Sequence, residues 1–126
     1  MITATHHGKF GSLLKARRHE LLAGVAVQTG GDDQGPNPHE LAEAALAACT
    51  VITMEMYAKR KGLNVSITAV VNSQTEAGAT HFSRELRIEG DLTPEQRQRL
   101  VQIADACPLH KVLSGAITIS TELAEG

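Results

Sequence analysis

Asn37-Pro38-His39-Glu40-Leu41-Ala42-Glu43-Ala44-Ala45-Leu46-Ala47-Ala48-Cys49 is the stretch on which the reading of the fold turns. Asn37 offers a side-chain oxygen for a helix N-cap, Pro38 suits the first helical position, and Glu40 completes a capping box three residues on. Leu41, Ala45, Ala48, Ile52 and Met56 then recur at helical spacing. Lys59, Arg60 and Lys61 run into Gly62, a basic last turn meeting a glycine cap. A helix is therefore predicted from about Pro38 to Arg60. Its alanines, Ala42, Ala44, Ala45, Ala47 and Ala48, leave little bulk on any face, which suits a central helix crossed closely by other elements.

Working outward, Gly30 to Pro36 is a dense cluster of turn formers and reads as a loop. Before it, Phe10 to Leu14 and Leu21 to Thr29 are β-like pieces around a polar Lys15–Glu20, predicting an N-terminal hairpin or meander. After the helix, Val65–Asn72 and Phe82–Gly90 alternate apolar and polar residues. They predict an antiparallel hairpin with a polar turn over Ser73–Thr80. Thr93-Pro94-Glu95-Gln96 starts a second helix whose buried stripe is Leu100, Ile103 and Ala104. It must stop at Cys107, because the residue before a proline is pushed out of the α region. Ala116–Leu123 alternates again and predicts a last strand.

The 126 residues suit one domain, 1–126, small enough that oligomerisation would help it bury surface. A net charge of -2, from 12 basic and 14 acidic residues, gives no electrostatic reason to expect nucleic acid or an anionic membrane as partner. Aromatic residues are 2% of the chain, so platforms for stacking bases are scarce. No apolar leader and no run long enough to span a bilayer are read, so a cytoplasmic location is expected. In a reducing compartment the two cysteines are reactive or simply buried rather than a permanent structural bridge.

Cys49 sits at the edge of the helix's apolar stripe. As a free cysteine it fits a small buried hydrophobe equally well. It lies well past the first turn, where the helix dipole is too weak to acidify a thiol, so a reactive Cys49 needs a cation from elsewhere. Cys107 ends a helix, with His110 and Lys111 just beyond as local cations, or is a turn residue of no consequence. The two are far apart in sequence, without a Cys-x-x-Cys spacing or four ligands, so a thioredoxin-like motif and a closed zinc site are poorly supported. The remaining histidines, His6, His7, His19 and His81, read as surface or hydrogen-bonded residues, and no metal or cofactor is expected.

Gly35-Pro36-Asn37-Pro38, Glu40-Leu41, Ala47-Ala48-Cys49 and Ala106-Cys107-Pro108-Leu109-His110 together resemble the OsmC/Ohr family of thiol peroxidases. The likeness extends through Met54, Tyr57, Arg60-Lys61-Gly62 and Glu89-Gly90-Asp91-Leu92, covering most of the chain from residue 30 onward, and is nearest the short OsmC-like branch. It implies an α+β fold of antiparallel sheets around a long central helix, in an intertwined homodimer with its sites at the interface. It implies that Cys49 attacks a hydroperoxide and becomes a sulfenic acid, that Cys107 resolves it, and that an external dithiol, such as a lipoyl group, reduces the disulfide. The family also uses an arginine from the N-terminal strands, for which Arg17 and Arg18 are available and Arg18 is favoured, held by a glutamate. The well-studied peroxidases place that acidic residue directly after Asn-Pro, where this chain has His39. Glu40, one residue later, would substitute, or serve only as the capping-box residue, since a one-residue shift turns a side chain about 100° around a helix.

Two other functions compete. A non-catalytic relative would bind a small apolar ligand in the interface cleft, or sense redox state. A cysteine hydrolase would use Cys107 and His110, but Pro108 between them and the lack of an oxyanion loop speak against it.

Overall fold

The computed structural model describes residues 1–125, an α+β chain with two antiparallel sheets. Contacts divide it into two compact units, residues 1–44 and 45–126, each described by itself. In the first unit, β1 (Thr3–His6), β2 (Ser12–Ala16) and β3 (His19–Ala23) form a meander in the order β1-β2-β3. The expected meander is present, with two corrections. An additional strand, β1, precedes it, and the second predicted strand ends at Ala23, because Val27–Thr29 closes a short 3-10 turn capped by Gly30 at φ 102°.

The first helix, α1, runs Pro38–Arg60, with the predicted bounds. Its capping box is complete: Glu40 N donates to Asn37 Oδ1 at 2.8 Å, and Asn37 N donates to Glu40 Oε1 at 2.9 Å. At the other end Leu63 N donates to Ala58 O, Gly62 N donates to Lys59 O, and Gly62 takes φ 68°. This is a Schellman closure, whose left-handed residue favours glycine.

The face that the chain buries is not the predicted one. Leu46, Thr50, Met54 and Ala58, spaced by four, are buried, whereas Ile52 and Met56 are 55% and 58% exposed. An alanine-rich helix carries apolar residues all round, so periodicity alone does not choose a face. By length and composition α1 could also cross a bilayer, which the sequence reading denied. Its middle and last turns instead pack into the chain's own core, where Met54 and Ala58 meet Leu100 and Ala104.

The second unit adds β4 (Ser66–Glu76) and β5 (Ala79–Glu89), paired antiparallel from Ser66↔Glu89 to Glu76↔Ala79. The hairpin is longer and its turn tighter than expected: two residues, Ala77 and Gly78, with φ 52° and 79°. Two consecutive positive φ angles match the strand twist as a type I′ turn does. The polar run read as a loop is strand with both faces exposed, and Thr75 and Thr80 hydroxyls bond across it at 2.9 Å. Nearer the base, Ile67, Ala69 and Val71 face inward opposite Ile88, Leu86 and Arg84.

The helix α2 (Pro94–Ala104) begins with a second capping box, Thr93 with Gln96. Cys107 leaves the helical region as predicted, at φ -61° and ψ 134°. It then caps a short helix, α3 (Pro108–Ser114), that was not expected. The predicted strand Ala116–Leu123 is not formed: residues 116–125 lie exposed and carry no ladder. Alternation makes a strand only where another edge is there to bond it.

Candidate active site

Position 49 of α1 and the N-terminal end of α3 bring the two cysteines together. Cys49 is half-buried and Cys107 fully buried, both as free thiols. The Cys107 S–H donates to the Cys49 sulfur, which also accepts from the Leu109 N–H and from the Thr53 hydroxyl, one turn further along α1. Cys107 Sγ in turn accepts from His110 N at 3.4 Å, as the helix-capping acceptor of α3. Pro108, at the first helical position, sets Cys107 in the extended conformation that makes this cap.

These bonds divide the acidity between the two sulfurs. Burial works against ionising Cys49, but the bonds from Cys107, Leu109 and Thr53, with the Arg84 charge, outweigh it and hold Cys49 below the usual thiol value. Burial and the bond to Cys49 push Cys107 up. The local cations foreseen beside Cys107 therefore do not make it the acidic member. Of the two, Cys49 is the one held toward the thiolate and Cys107 the one held toward the thiol.

Arg84 is the residue that sequence reasoning missed. Its side chain is only 11% exposed. Nη1 donates to Thr50 Oγ1 at 3.0 Å, and Nη2 donates to Asp105 Oδ1 at 2.9 Å and to His110 Nδ1 at 3.0 Å. The buried Thr50 hydroxyl donates to Leu46 O at 2.7 Å, which leaves its oxygen free to accept from Arg84. One guanidinium thus ties β5 to α1 and to the segment leading into α3. The signal was present in the sequence: Phe82, Arg84, Leu86 and Ile88 share the inward phase of a strand, and an arginine in that phase asks for a partner.

Arg18 and Glu40 both belong to the N-terminal unit. Arg18 is exposed at the two-residue β2–β3 turn beside Arg17, whose φ is 54°. Glu40 is exposed, and its carboxylate accepts the Asn37 N–H of the capping box. His39, which directly follows Asn37-Pro38, is exposed on the first turn of α1.

A cavity of about 220 Å³ opens beside Arg84 and His110, with Leu46, Phe82 and Leu113 supplying apolar wall. Among the described residues no group of three or more His, Cys, Asp or Glu is placed to hold a metal ion.

A family profile described as OsmC-like protein matches residues 30–122. No protein of curated function matches the sequence. Among solved structures, an organic hydroperoxide resistance protein from Elizabethkingia anophelis, with thiocyanate bound, is 27% identical. The match covers 91% of this chain and 89% of that one, with a TM-score of 0.63. The organic hydroperoxide resistance protein OhrB of Bacillus subtilis is 25% identical over 91% of each chain, with a TM-score of 0.60. An OsmC-like protein of unknown function from Vibrio cholerae is 14% identical over 90% of this chain and 92% of that one. With its TM-score of 0.67 it shares the fold.

Proposed function

The chain belongs to the OsmC-like family, and we propose that it is a dithiol-dependent peroxidase reducing organic hydroperoxides or hydrogen peroxide through Cys49 and Cys107, in oxidative stress defence. The observation that carries this reading is the meeting of two free thiols, Cys49 half-buried on α1 and Cys107 buried at the start of α3. The Cys49 thiolate attacks the terminal peroxide oxygen. The S–O bond forms, the O–O bond breaks, and the electron pair leaves on the other oxygen, which takes a proton and departs as alcohol or water. Cys107, already in contact, then displaces water from the Cys49 sulfenic acid as a thiolate, giving the disulfide. An external dithiol, a lipoyl group among them, restores both thiols by two exchange steps. The apolar wall beside Arg84 and His110 gives the organic part of a hydroperoxide a place to lie.

Two relatives bearing the name organic hydroperoxide resistance protein support the substrate class. The raised Cys107 is the wrong state for a hydrolase nucleophile. Treating the reduced protein with one equivalent of cumene hydroperoxide is expected to consume both thiols of each chain and leave an intrachain Cys49–Cys107 disulfide, read by thiol titration and peptide mass. Both thiols surviving that treatment would overturn the proposal.

Cytoplasmic residence, a single domain over residues 1–126, and a homodimer belong to the same reading. The family match across 30–122 bridges the two compact units. Ile52 and Met56 stand exposed on α1, and Ile117, Ile119 and Leu123 alternate on a segment with no partner strand in the described residues. A second copy would cover them. Sedimentation is expected to give twice the chain mass, and Ile52→Glu to shift it toward the monomer; a monomeric wild type counts against the dimer. Arg18 and Glu40 stay in the proposal as the cation and carboxylate that the family resemblance implies.

A further inference from the structure

The Arg84 guanidinium has only donors to offer. The atom it meets at 3.0 Å, His110 Nδ1, must therefore be an unprotonated acceptor. Accepting there requires the neutral tautomer with its proton on Nε2. Guanidinium geometry adds a second constraint. Nη2 is shared between His110 Nδ1 and Asp105 Oδ1, and these two acceptors lie 3.8 Å from each other. A proton on Nδ1 would set two donors face to face across the Arg84 contact. It would also turn His110 toward the carboxylate that Arg84 is using.

We propose that His110 is a positioning residue: neutral, it accepts from Arg84 and holds the guanidinium where its charge favours the Cys49 thiolate, and protonated, it releases that hold. The inference rests on Cys49 acting as a thiolate but not on what the thiolate attacks. His110 is suited to it by place as well as chemistry. It sits on the first turn of α3, the turn that also supplies the Leu109 N–H and the Cys107 S–H to Cys49. Losing the His110–Arg84 bond therefore loosens the attachment of α3 to β5 as well as the charge. The titratable and charged groups around His110 are Arg84 and His81 on β5, Asp105 in the turn before α3, and Cys49 on α1. Cys107 and Lys111 flank it on its own element. Of these, Arg84 and Asp105 make or approach its Nδ1, and only a proton on that nitrogen reverses the bond.

The test measures Cys49 alkylation by iodoacetamide on reduced protein across pH, with peptide mass separating Cys49 from the buried Cys107. In the wild type, Cys49 reactivity is expected to fall with decreasing pH in two linked steps rather than along a single ionisation curve. His110→Asn keeps a carbonyl acceptor near the Nδ1 position and takes up no proton. It is expected to keep the wild-type midpoint on the neutral side and to lose the second step. His110→Leu offers no acceptor and is expected to move the midpoint up, with a severalfold loss of Cys49 alkylation at neutral pH. Nitrogen-15 NMR of the imidazole reads the tautomer directly and depends on neither variant. A proton on Nδ1 at neutral pH overturns the proposal. So does a His110→Leu profile superimposable on wild type, or a His110→Asn profile that shifts as far as that of His110→Leu. Absence of peroxide turnover with these profiles intact would refute the peroxidase and leave the role of His110 standing.

Discussion

Cys49→Ser is expected to lower peroxide consumption at least about a thousandfold, to the background of the reductant alone, because a neutral serine hydroxyl is a far poorer nucleophile than a thiolate. The four groups around the Cys49 sulfur stabilise a sulfur anion, and none of them is a base that could deprotonate a hydroxyl at neutral pH. Cys107→Ser is expected to behave differently. A serine hydroxyl can still donate to Cys49, so the first attack survives within a few-fold, but the sulfenic acid then has no neighbouring thiol. One equivalent of peroxide should convert the Cys107→Ser chain to a dimedone-reactive sulfenic acid, with no intrachain disulfide. In this variant turnover waits for direct attack by the external dithiol. Wild-type consumption by Cys49→Ser would remove Cys49 from the reaction. A dimedone adduct on Cys107 in the wild type would reverse the two roles.

The ends of α1 were legible because both are decided by local chemistry: a reciprocal Asn37–Glu40 cap at one and a glycine closure at the other. Which side of α1 is buried was not legible. Leu46, Thr50, Met54 and Ala58 are no more apolar than Leu41, Ala45, Ala48, Ile52 and Met56, and the choice is made by what packs against the helix. The same holds for Ala116–Leu123, whose alternation describes a strand that the chain alone does not pair. In the β4–β5 hairpin, polar residues were read as a turn when they mark a ladder projecting with both faces exposed.

At the site, the pairing of Cys49 with Cys107 came from resemblance, since spacing says nothing about residues that only folding brings together. Arg84 was legible in principle. It shares its strand phase with Phe82, Leu86 and Ile88, and a charge in an apolar phase is the exception worth pursuing. The resemblance implies an arginine from the N-terminal strands, and that expectation leads to Arg17 and Arg18 rather than to Arg84.

Arg84→Met is expected to raise the Cys49 thiol value and slow Cys49 alkylation severalfold at neutral pH. The sign follows from the charge. A cation near the sulfur favours the anion, so removing it moves the thiolate titration to higher pH. Below the wild-type midpoint the thiolate fraction, and with it the alkylation rate, falls about tenfold per unit. The charge is the smallest of the stabilising influences on Cys49, after the bonds from Cys107, Leu109 and Thr53. Arg84 also ties Thr50 on α1 to Asp105 and His110 next to and within α3. Its loss therefore frees the segment that delivers two of those three bonds. The fold should survive. Asp105 is 71% exposed and can be solvated, and Thr50 keeps its bond to Leu46 O, so no buried charge is orphaned. Arg84→Lys separates the two contributions, since an ammonium keeps the charge but cannot reproduce the planar fork reaching three acceptors. A shift in Arg84→Lys close to that of Arg84→Met assigns the effect to the tie, and a wild-type profile assigns it to the charge. Arg18→Ala is the necessary comparison: a larger shift there than in Arg84→Met would return the activating role to the N-terminal arginine.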